Sequence, residues 1–528
     1  MNKFLQFILF FGFLAVCLLP TKVHSQFSQN LSYIEQDNLG LLNPYDFEIE
    51  RGVQVRIFSL LYENLYRYNF NDRKYEPVLV DSEEKVGSDH YRFRLIDAYW
   101  HDGQKLTSGD VKFTYDFILE HGRNEAFKDR LKRDIEDITV ISDKEFSIQF
   151  SGGNTEFRSL LNQWILPKHA LDGDTSLRQQ FARTPVGTGP YKFEGRGRQG
   201  RAELIRYEDY HSNLPKMERI ELRRIVDTST RIQALLSGGT DMLIEVPPDR
   251  LVDLESTLQH QIEPYQSVSI NTISFNFNNP LLSDRNIRLA MSYGFNRELS
   301  LNNWYEGQGT LISGPYSPAS SLHDPDVRPK PFDPSKAKML LEDAGYRDSN
   351  GDGILRSSTG EQLSFNILTR STVGATALPA QMVAQDFVEN MKDIGIEINL
   401  ISENSDNFDR IVFYDRDFDL AILEWTFDPR YDVMPLFHSE HIQRGGRNIG
   451  SYSNEDVDAL FNALKSASQY RDRYRVAAQI QRKLADEAPH IFMFSVMKNA
   501  AIDLRFANVV IDPFYFFSYI NQWELIDD

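Results

Sequence analysis

The chain has 528 residues, 41% hydrophobic and 25% charged, the composition of a soluble globular protein. At ~150 residues per domain this length suggests two to four domains. A net charge of −19 argues against nucleic-acid or anionic-lipid binding over a broad face.

Lys3 gives a positive start, and residues 4–19 form an uncharged apolar and aromatic run. Val23-His24-Ser25 offers small residues before a cut at Gln26, so residues 1–25 read as a secretory signal peptide. The apolar run is short for a membrane span of ~20 residues. Leu14-Ala15-Val16-Cys17 loosely resembles a lipoprotein cleavage site, but valine directly before the cysteine and the continuing Leu18-Leu19 favour plain cleavage. The expected mature form is exported, soluble and extracytoplasmic or periplasmic, with a lipid anchor at Cys17 as the alternative. Cys17 is the only cysteine, so the mature chain has no disulfide, thiolate nucleophile or Cys-ligated metal.

Residues 53–66 carry Val53, Ile57, Leu60, Leu61 and Leu65 at helical spacing. Residues 91–99 alternate as a strand. Asp102-Gly103 is a tight-turn pair, and Thr107 or Ser108 can cap a helix over 110–120. Residues 135–150 read as two strands, and 160–171 as apolar and irregular. Pro185-Val186-Gly187-Thr188-Gly189-Pro190 holds too many breakers for regular structure and predicts a domain crossing or a close backbone approach. Residues 191–193 and 201–207 form a hairpin. Its loop, Gly195-Arg196-Gly197-Arg198-Gln199-Gly200, is formally G-x-G-x-x-G, but a strand follows where dinucleotide binding needs a helix.

Strands are expected at 220–226, 241–246 and 269–278, with helices at 228–237 and 287–296. This alternation predicts a mixed α/β sheet. Residues 315–334 form a proline-rich surface loop, and 337–344 a helix. Asp348-Ser349-Asn350-Gly351-Asp352-Gly353 matches the first half of a calcium loop, but its twelfth position is Thr359, so a hairpin turn is the better reading. Strands at 363–369 and 396–400 flank a helix at 380–394. Helices at 457–466 and 474–487 precede a buried strand at 491–494. The aromatic segment 514–523 is expected to dock on the body.

The stretch 417–432 bears most directly on function. Leu420-Ala421-Ile422-Leu423 reads as a buried strand handing over to Trp425 and, three positions on, Asp428, with Pro429 ending the pairing. Ligands of open α/β sheets sit beyond the carboxyl ends of strands. A carboxylate and an indole there can hold a cationic group. The structural alternative is a strand ending in a turn, with Asp428 bonding nearby amides.

No nucleophile elbow, phosphate-cradling lysine loop or H-E-x-x-H occurs, so an enzyme reading has no residues to rest on. His438 and His441 could share a metal if helical, but Gly445-Gly446 and Asn448 predict a loop with solvent-exposed histidines. No cofactor is expected.

An ordered set of motifs resembles the extracellular solute-binding proteins, family 5, the peptide-binding components of ABC importers. The set runs from Trp100-His101-Asp102-Gly103 with Leu106-Thr107-Ser108 and Asp110-Val111 through Ile165-Leu166-Pro167-Lys168-His169 and the 185–191 segment. It continues with Ile287-Arg288-Leu289-Ala290, Asn296-Arg297-Glu298, Asp333-Pro334 and Ala344-Gly345-Tyr346, and ends with Tyr452-Ser453-Asn454 and Ala488-Pro489-His490-Ile491. The resemblance implies a two-lobed α/β periplasmic-binding-protein fold of class II with an extra domain inserted in the first lobe. Residues 26–58, 180–277 and 495–528 would form lobe 1, 59–179 the insertion and 278–494 lobe 2, with crossings near 276–279 and 488–495. It also implies a monomer that binds a peptide or other small solute and delivers it to a membrane permease, with no nucleic-acid partner and no catalysis. By similarity, Asp428 matches the acid that pairs with a peptide α-ammonium and Trp425 the indole lining that pocket. Arg370 sits where dipeptide binders hold the ligand carboxylate, and Phe427 completes the expected binding set. Because the family also includes binders of nickel complexes, haem, opines and oligosaccharides, it does not fix the ligand.

Overall fold

The computed structural model describes residues 29–45, 52–123, 125–151, 157–173, 175–371, 377–427, 431–467 and 469–526. The expected leader with Cys17, and Asp428 itself, lie outside the described residues. No helix among the described residues is long and apolar enough to cross a membrane.

The strands that matter, in chain order, are β1 (Asn30–Glu35), β2 (Tyr66–Asn69), β3 (Lys74–Pro77), β4 (Val80–Lys85), β5 (His90–Leu95), β6 (Ile135–Ser142), β7 (Glu145–Phe150), β8 (Tyr191–Arg196), β9 (Ala202–Arg206) and β10 (Arg219–Arg224). There follow β11 (Met242–Leu243), β12 (His260–Gln266), β13 (Ser269–Phe275), β14 (Gly309–Leu311), β15 (Ser364–Arg370), β16 (Glu397–Glu403), β17 (Leu420–Thr426) and β18 (His490–Asp503). The main sheet has the order β16-β15-β17-β13-β18-β11-β1-β10-β9-β8, and β12 and β14 also pair with β18. The antiparallel sheet β4-β5-β7-β6 and the hairpin β2-β3 stand apart from it.

β18 joins two halves of the main sheet. Its first part, from His490 to Phe494, pairs with β13, and its last part, from Met497 to Asp503, pairs with β12. This is the two-lobed class II architecture. The directions of the strands then locate the gap. β15 is parallel to β16 and β17, β17 is antiparallel to β13, and β13 is antiparallel to β18. β17 therefore runs the way β18 runs, out of the second lobe toward the first. β11 is antiparallel to β18, and β1 and β10 are parallel to β11. These strands run out of the first lobe toward the second. The two sets of carboxyl ends thus converge on the crossing, where open α/β sheets bind ligands.

We propose Gln266–Ser269 and Ser495–Met497 as the crossings. The first lies upstream of the expected 276–279, because β13 is already paired with β17 from Ser269 onward. Residues 59–179, which contain the separate four-stranded sheet, remain our proposed insertion.

Two strands depart from the sequence reading. The strand expected at 491–494 runs on through Asp503, fourteen residues in all. Ser495, Lys498 and Asn499 interrupt the apolar run at the crossing, so a hydrophobicity pattern stops there. β12 was not expected, since Pro264 and Glu263 speak against a strand. It pairs with β18 alone, and a proline is tolerated where no second ladder needs its missing N–H.

The breaker-rich 185–191 segment is a close backbone approach, as expected. A Cβ built on Gly187 would lie 1.8 Å from the Leu61 carbonyl oxygen, and one on Gly189 would lie 2.5 Å from that of Leu60. His101 ties the Asp102-Gly103 turn to the same segment. It accepts from the Gly187 N–H at Nδ1 (3.1 Å) and donates from Nε2 to the Gly189 carbonyl at 2.9 Å. Thr107 caps the helix Ser108–His121 in a capping box with Asp110. The C-terminal Phe514, Tyr515, Phe516, Phe517 and Trp523 are buried, as their aromaticity predicts.

Two predictions follow from this junction. Gly187→Val forces apart two backbones and should cost more than ~3 kcal/mol, read by urea unfolding. Burial lowers the His101 pKa to about 4, so the folded protein holds it neutral. Its contribution is complete above the unfolded value of ~6.5 and is lost as pH falls from there to ~4, by ~3 kcal/mol. Urea midpoints across that window should fall steeply for the native protein and less steeply for His101→Gln.

Candidate functional site

β17 alternates between two cores. Leu420 and Ile422 face one with Phe365 and Phe387, while Ala421, Leu423 and Trp425 face the other. The strand extends to Thr426, beyond the apolar run alone, and ends with Trp425 and, just past it, Phe427 at its carboxyl end.

Trp425 is only 5% exposed. Its indole N–H donates to Thr272 Oγ1 of β13 at 3.1 Å, and its ring meets Phe413 edge-on at 6.1 Å. The indole N–H is therefore committed inside the second lobe, and Trp425 can offer a ligand its ring surface only. Phe427 anchors to the crossing through its N–H, which donates to the Val268 carbonyl at 3.3 Å. Its ring stacks on Tyr431 at 4.4 Å. Of the expected binding set, Trp425 and Phe427 come together at the end of one strand. Asp428, next in sequence to Phe427, lies outside the described residues.

Arg370 ends β15, the strand parallel to β17 on its other side from β13. Its guanidinium pairs with Asp409 and lies 4.7 Å from the centre of the Phe408 ring. The side chain is half-exposed, so a ligand carboxylate reaching Arg370 competes with a carboxylate already there.

Sequence reasoning did not single out Tyr431, Tyr316, Glu245 or Lys498. Tyr431 has left-handed backbone, φ 50°, and its hydroxyl donates to Ser317 Oγ at 2.6 Å. Its ring centre is 6.1 Å from that of Tyr316, whose hydroxyl is buried with no hydrogen-bond partner among the described residues. At the crossing itself, Lys498 Nζ is 3.1 Å from Glu245 Oε2, just beyond the end of β11. Glu245 holds the Lys498 ammonium well above its ordinary range, and Glu424 of β17 adds to the effect. The lysine therefore feels an acid from each lobe. These groups come from segments far apart in the chain, and no local pattern links them.

The other candidate motifs resolve differently. His438 is buried, not solvent-exposed as expected, and it caps the turn Ser439–His441 by accepting the Glu440 N–H at 3.2 Å. The 348–353 loop is a turn with its own cation. Arg356 Nη1 donates to Asn350 Oδ1, Asp352 Oδ1 and the Ile354 carbonyl, each at 2.9 Å, and Nη2 donates to Asp352 Oδ2 at 2.6 Å. This guanidinium holds the Asp352 carboxyl well below its usual range. The G-x-G-x-x-G loop joins β8 to β9 through a single 3₁₀ turn, Arg198–Gly200, and opens no helix. Concavities of about 440 and 480 Å³ lie along the β8–β9 hairpin, and neither includes Trp425, Phe427 or Arg370.

Residues 74–443 match the model of the bacterial extracellular solute-binding proteins, family 5 Middle. The chain belongs to this family. It is a solute-binding protein, and the convergent strand ends are where such a fold holds its solute. The oligopeptide-binding protein AppA of Bacillus subtilis is 29% identical over 414 residues, covering 75% of this chain and 73% of that protein. The solved structure of AppA from Bacillus subtilis, in complex with a nonapeptide, superposes with TM-score 0.77 at 24% identity, covering 94% of this chain and 99% of that one. NikZ from Campylobacter jejuni, in complex with Ni(L-His), superposes with TM-score 0.80 at 22% identity, again covering 94% and 99%. The same fold thus accommodates ligands of very different chemistry, so the side chains at the strand ends must discriminate between them.

If Arg356 fills the place of a metal in the 348–353 loop, millimolar calcium or EDTA should leave the melting temperature within about a degree of its starting value. Arg356→Ala should lower it, since Asp352 and Asn350 then lose their cation.

Proposed function

We propose that this chain is the extracytoplasmic receptor of an ABC importer, and that it captures peptides between its lobes by their free amino end. The observation that carries the reading is the arrangement at the end of β17. Trp425 and Phe427 build an aromatic wall at the convergence of the strand ends, and the chain continues directly into Asp428. Burying an ammonium without a partner is costly, so a carboxylate in a closed gap selects ligands that carry one. An extended peptide offers its main chain to the gap as an added strand would, which leaves side-chain specificity loose. The family, and the peptide-binding relative AppA with its nonapeptide complex, support this choice. The chain acts as a carrier that hands its load to a membrane permease, and does not transform it.

The competing ligand class is a metal complex, favoured by the likeness to NikZ with its bound Ni(L-His). Among the described residues no group of three or more His, Cys, Asp or Glu side chains is arranged to hold a bare metal ion, so such a ligand would arrive already chelated.

Asp428→Ala should lose about 2–5 kcal/mol of peptide binding by calorimetry, the usual cost of stranding a buried charge. Unchanged affinity removes Asp428 from the site. N-acetylated peptides should bind far more weakly than free ones, and equal affinity for both points to another ligand class. For Arg370, the reading is whether Arg370→Ala alters the preference between free and amidated carboxyl ends. The pairing with Asp409 predicts a small change, a few-fold at most, as for an exposed ion pair.

A further inference from the structure

The glycine-rich turn rejected as a nucleotide loop carries an unusual charge. From β8 through β9 the hairpin holds five bases, Lys192, Arg196, Arg198, Arg201 and Arg206, against two acids, in a chain whose net charge is −19. Some of this positive charge is neutralised within the sheet. Arg201 is 3.6 Å from Glu221, and Arg206 is 2.9 Å from Glu208. Arg196, Arg198 and the neighbouring Arg224 differ, because none of them has a carboxylate partner among the described residues. Arg196 donates to the Gly40 carbonyl, and Arg224 donates to the Gln36 carbonyl at 3.3 Å. Arg198 stands exposed on the turn itself. In a protein with 76 acidic residues, none of the described carboxylates forms an ion pair with these three guanidinium groups.

Their place in the fold is equally specific. β8 is antiparallel to β9 and β9 is antiparallel to β10, so β8 runs with β10 and β1 toward the gap. The β8–β9 turn therefore lies at the same end of the first lobe as the carboxyl ends of those strands. Arg196 and Arg224 fix it to the loop that leaves β1. Leu41, in that loop beside Gly40, is 47% exposed. The result is a rim where the three arginines outnumber the exposed acids Asp37 and Asp227 and stand beside two exposed apolar residues, Leu41 and Val226, on the side of the lobe that faces the gap.

We infer that this rim docks on an anionic phospholipid surface and turns the mouth of the gap toward the membrane. Guanidinium groups match phosphate oxygens through paired N–H donors, and an exposed leucine can enter the headgroup region. The rest of the molecule is acidic and is repelled by the same surface. Beyond a Debye length of about 8 Å that repulsion is screened, so contact is limited to the rim. Docking by this rim is independent of which solute the gap takes.

The test is co-sedimentation of the full mature chain with sucrose-loaded vesicles. One set is phosphatidylcholine alone, and the other is an equal mixture of phosphatidylcholine and phosphatidylglycerol. Binding to the mixed vesicles should exceed binding to the neutral ones at least fivefold at ~0.15 M salt, where the Debye length is about 8 Å, and should vanish near 0.5 M salt, where screening is nearly complete. Arg198→Glu, which removes no side-chain hydrogen bond or ion pair among the described residues, should reduce mixed-vesicle binding several-fold. The triple variant R196E/R198E/R224E should abolish it, while Lys338→Glu on the second lobe should bind as the parent does. Circular dichroism of each variant separates loss of docking from loss of folding. Equal binding to both vesicle sets, or an Arg198→Glu variant that binds like the parent, overturns the inference. Sedimentation with protein-containing native membranes but not with the protein-free mixed vesicles also overturns it, in favour of an acidic protein partner.

Discussion

A single strand runs through both halves of the main sheet, and the point where it changes partners is the constraint on which the proposed crossing and site depend. β18 pairs with β13 on one side and with β12 on the other. Between the two ladders, Ser495 donates from Oγ to the Ser269 carbonyl at 2.8 Å and accepts from Gln266 at 3.1 Å. A buried backbone cannot leave its polar groups unpaired, so the crossing is lined with small hydroxyl and amide side chains. That requirement interrupts the apolar pattern at 495–499. It also permits closure, because a short segment held by side-chain hydrogen bonds can adjust its dihedral angles while the ladders on either side stay intact.

The same crossing sets the electrostatics. Lys498 is anchored to Glu245 of the first lobe and feels Glu424 of the second. Moving the lobes changes the distance to one acid and not to the other. In the proposed site, Trp425, Phe427 and Tyr431 are tied down, since the indole N–H, the Phe427 amide and the Tyr431 hydroxyl are all held by the protein. A wall whose own polar groups are satisfied presents mainly apolar ring surface to a guest. Recognition must then come from charged groups at its margin, which is the role proposed for Asp428.

Much of the fold was legible in the sequence, because it follows from local physics. The 3.6-residue spacing at Val53, Ile57 and Leu61 gave a helix, and the cap at Thr107 with Asp110 fixed where the next one starts. The breakers at 185–190 announced a close approach that Gly187 and Gly189 make possible. What escaped was non-local. β12 is a strand only because β18 is there to pair with it, despite Pro264. His438 is buried among groups from elsewhere in the chain, Asn462 and Asp458, as well as the turn that follows it. In the site, Trp425 and Phe427 were readable from a strand that ends in aromatic residues. The Arg370–Asp409 pair was not, because its partners come from different elements, and it qualifies the role that resemblance alone gives to Arg370.

The central claim is that the gap between the lobes holds a peptide by its charged amino end. Native mass spectrometry of the protein as purified reads this directly, through the ligand that stays bound on isolation. The account predicts mass additions that fragment as peptides with unblocked amino termini, in a mixture of sequences. A single nickel chelate or sugar in the gap would contradict it.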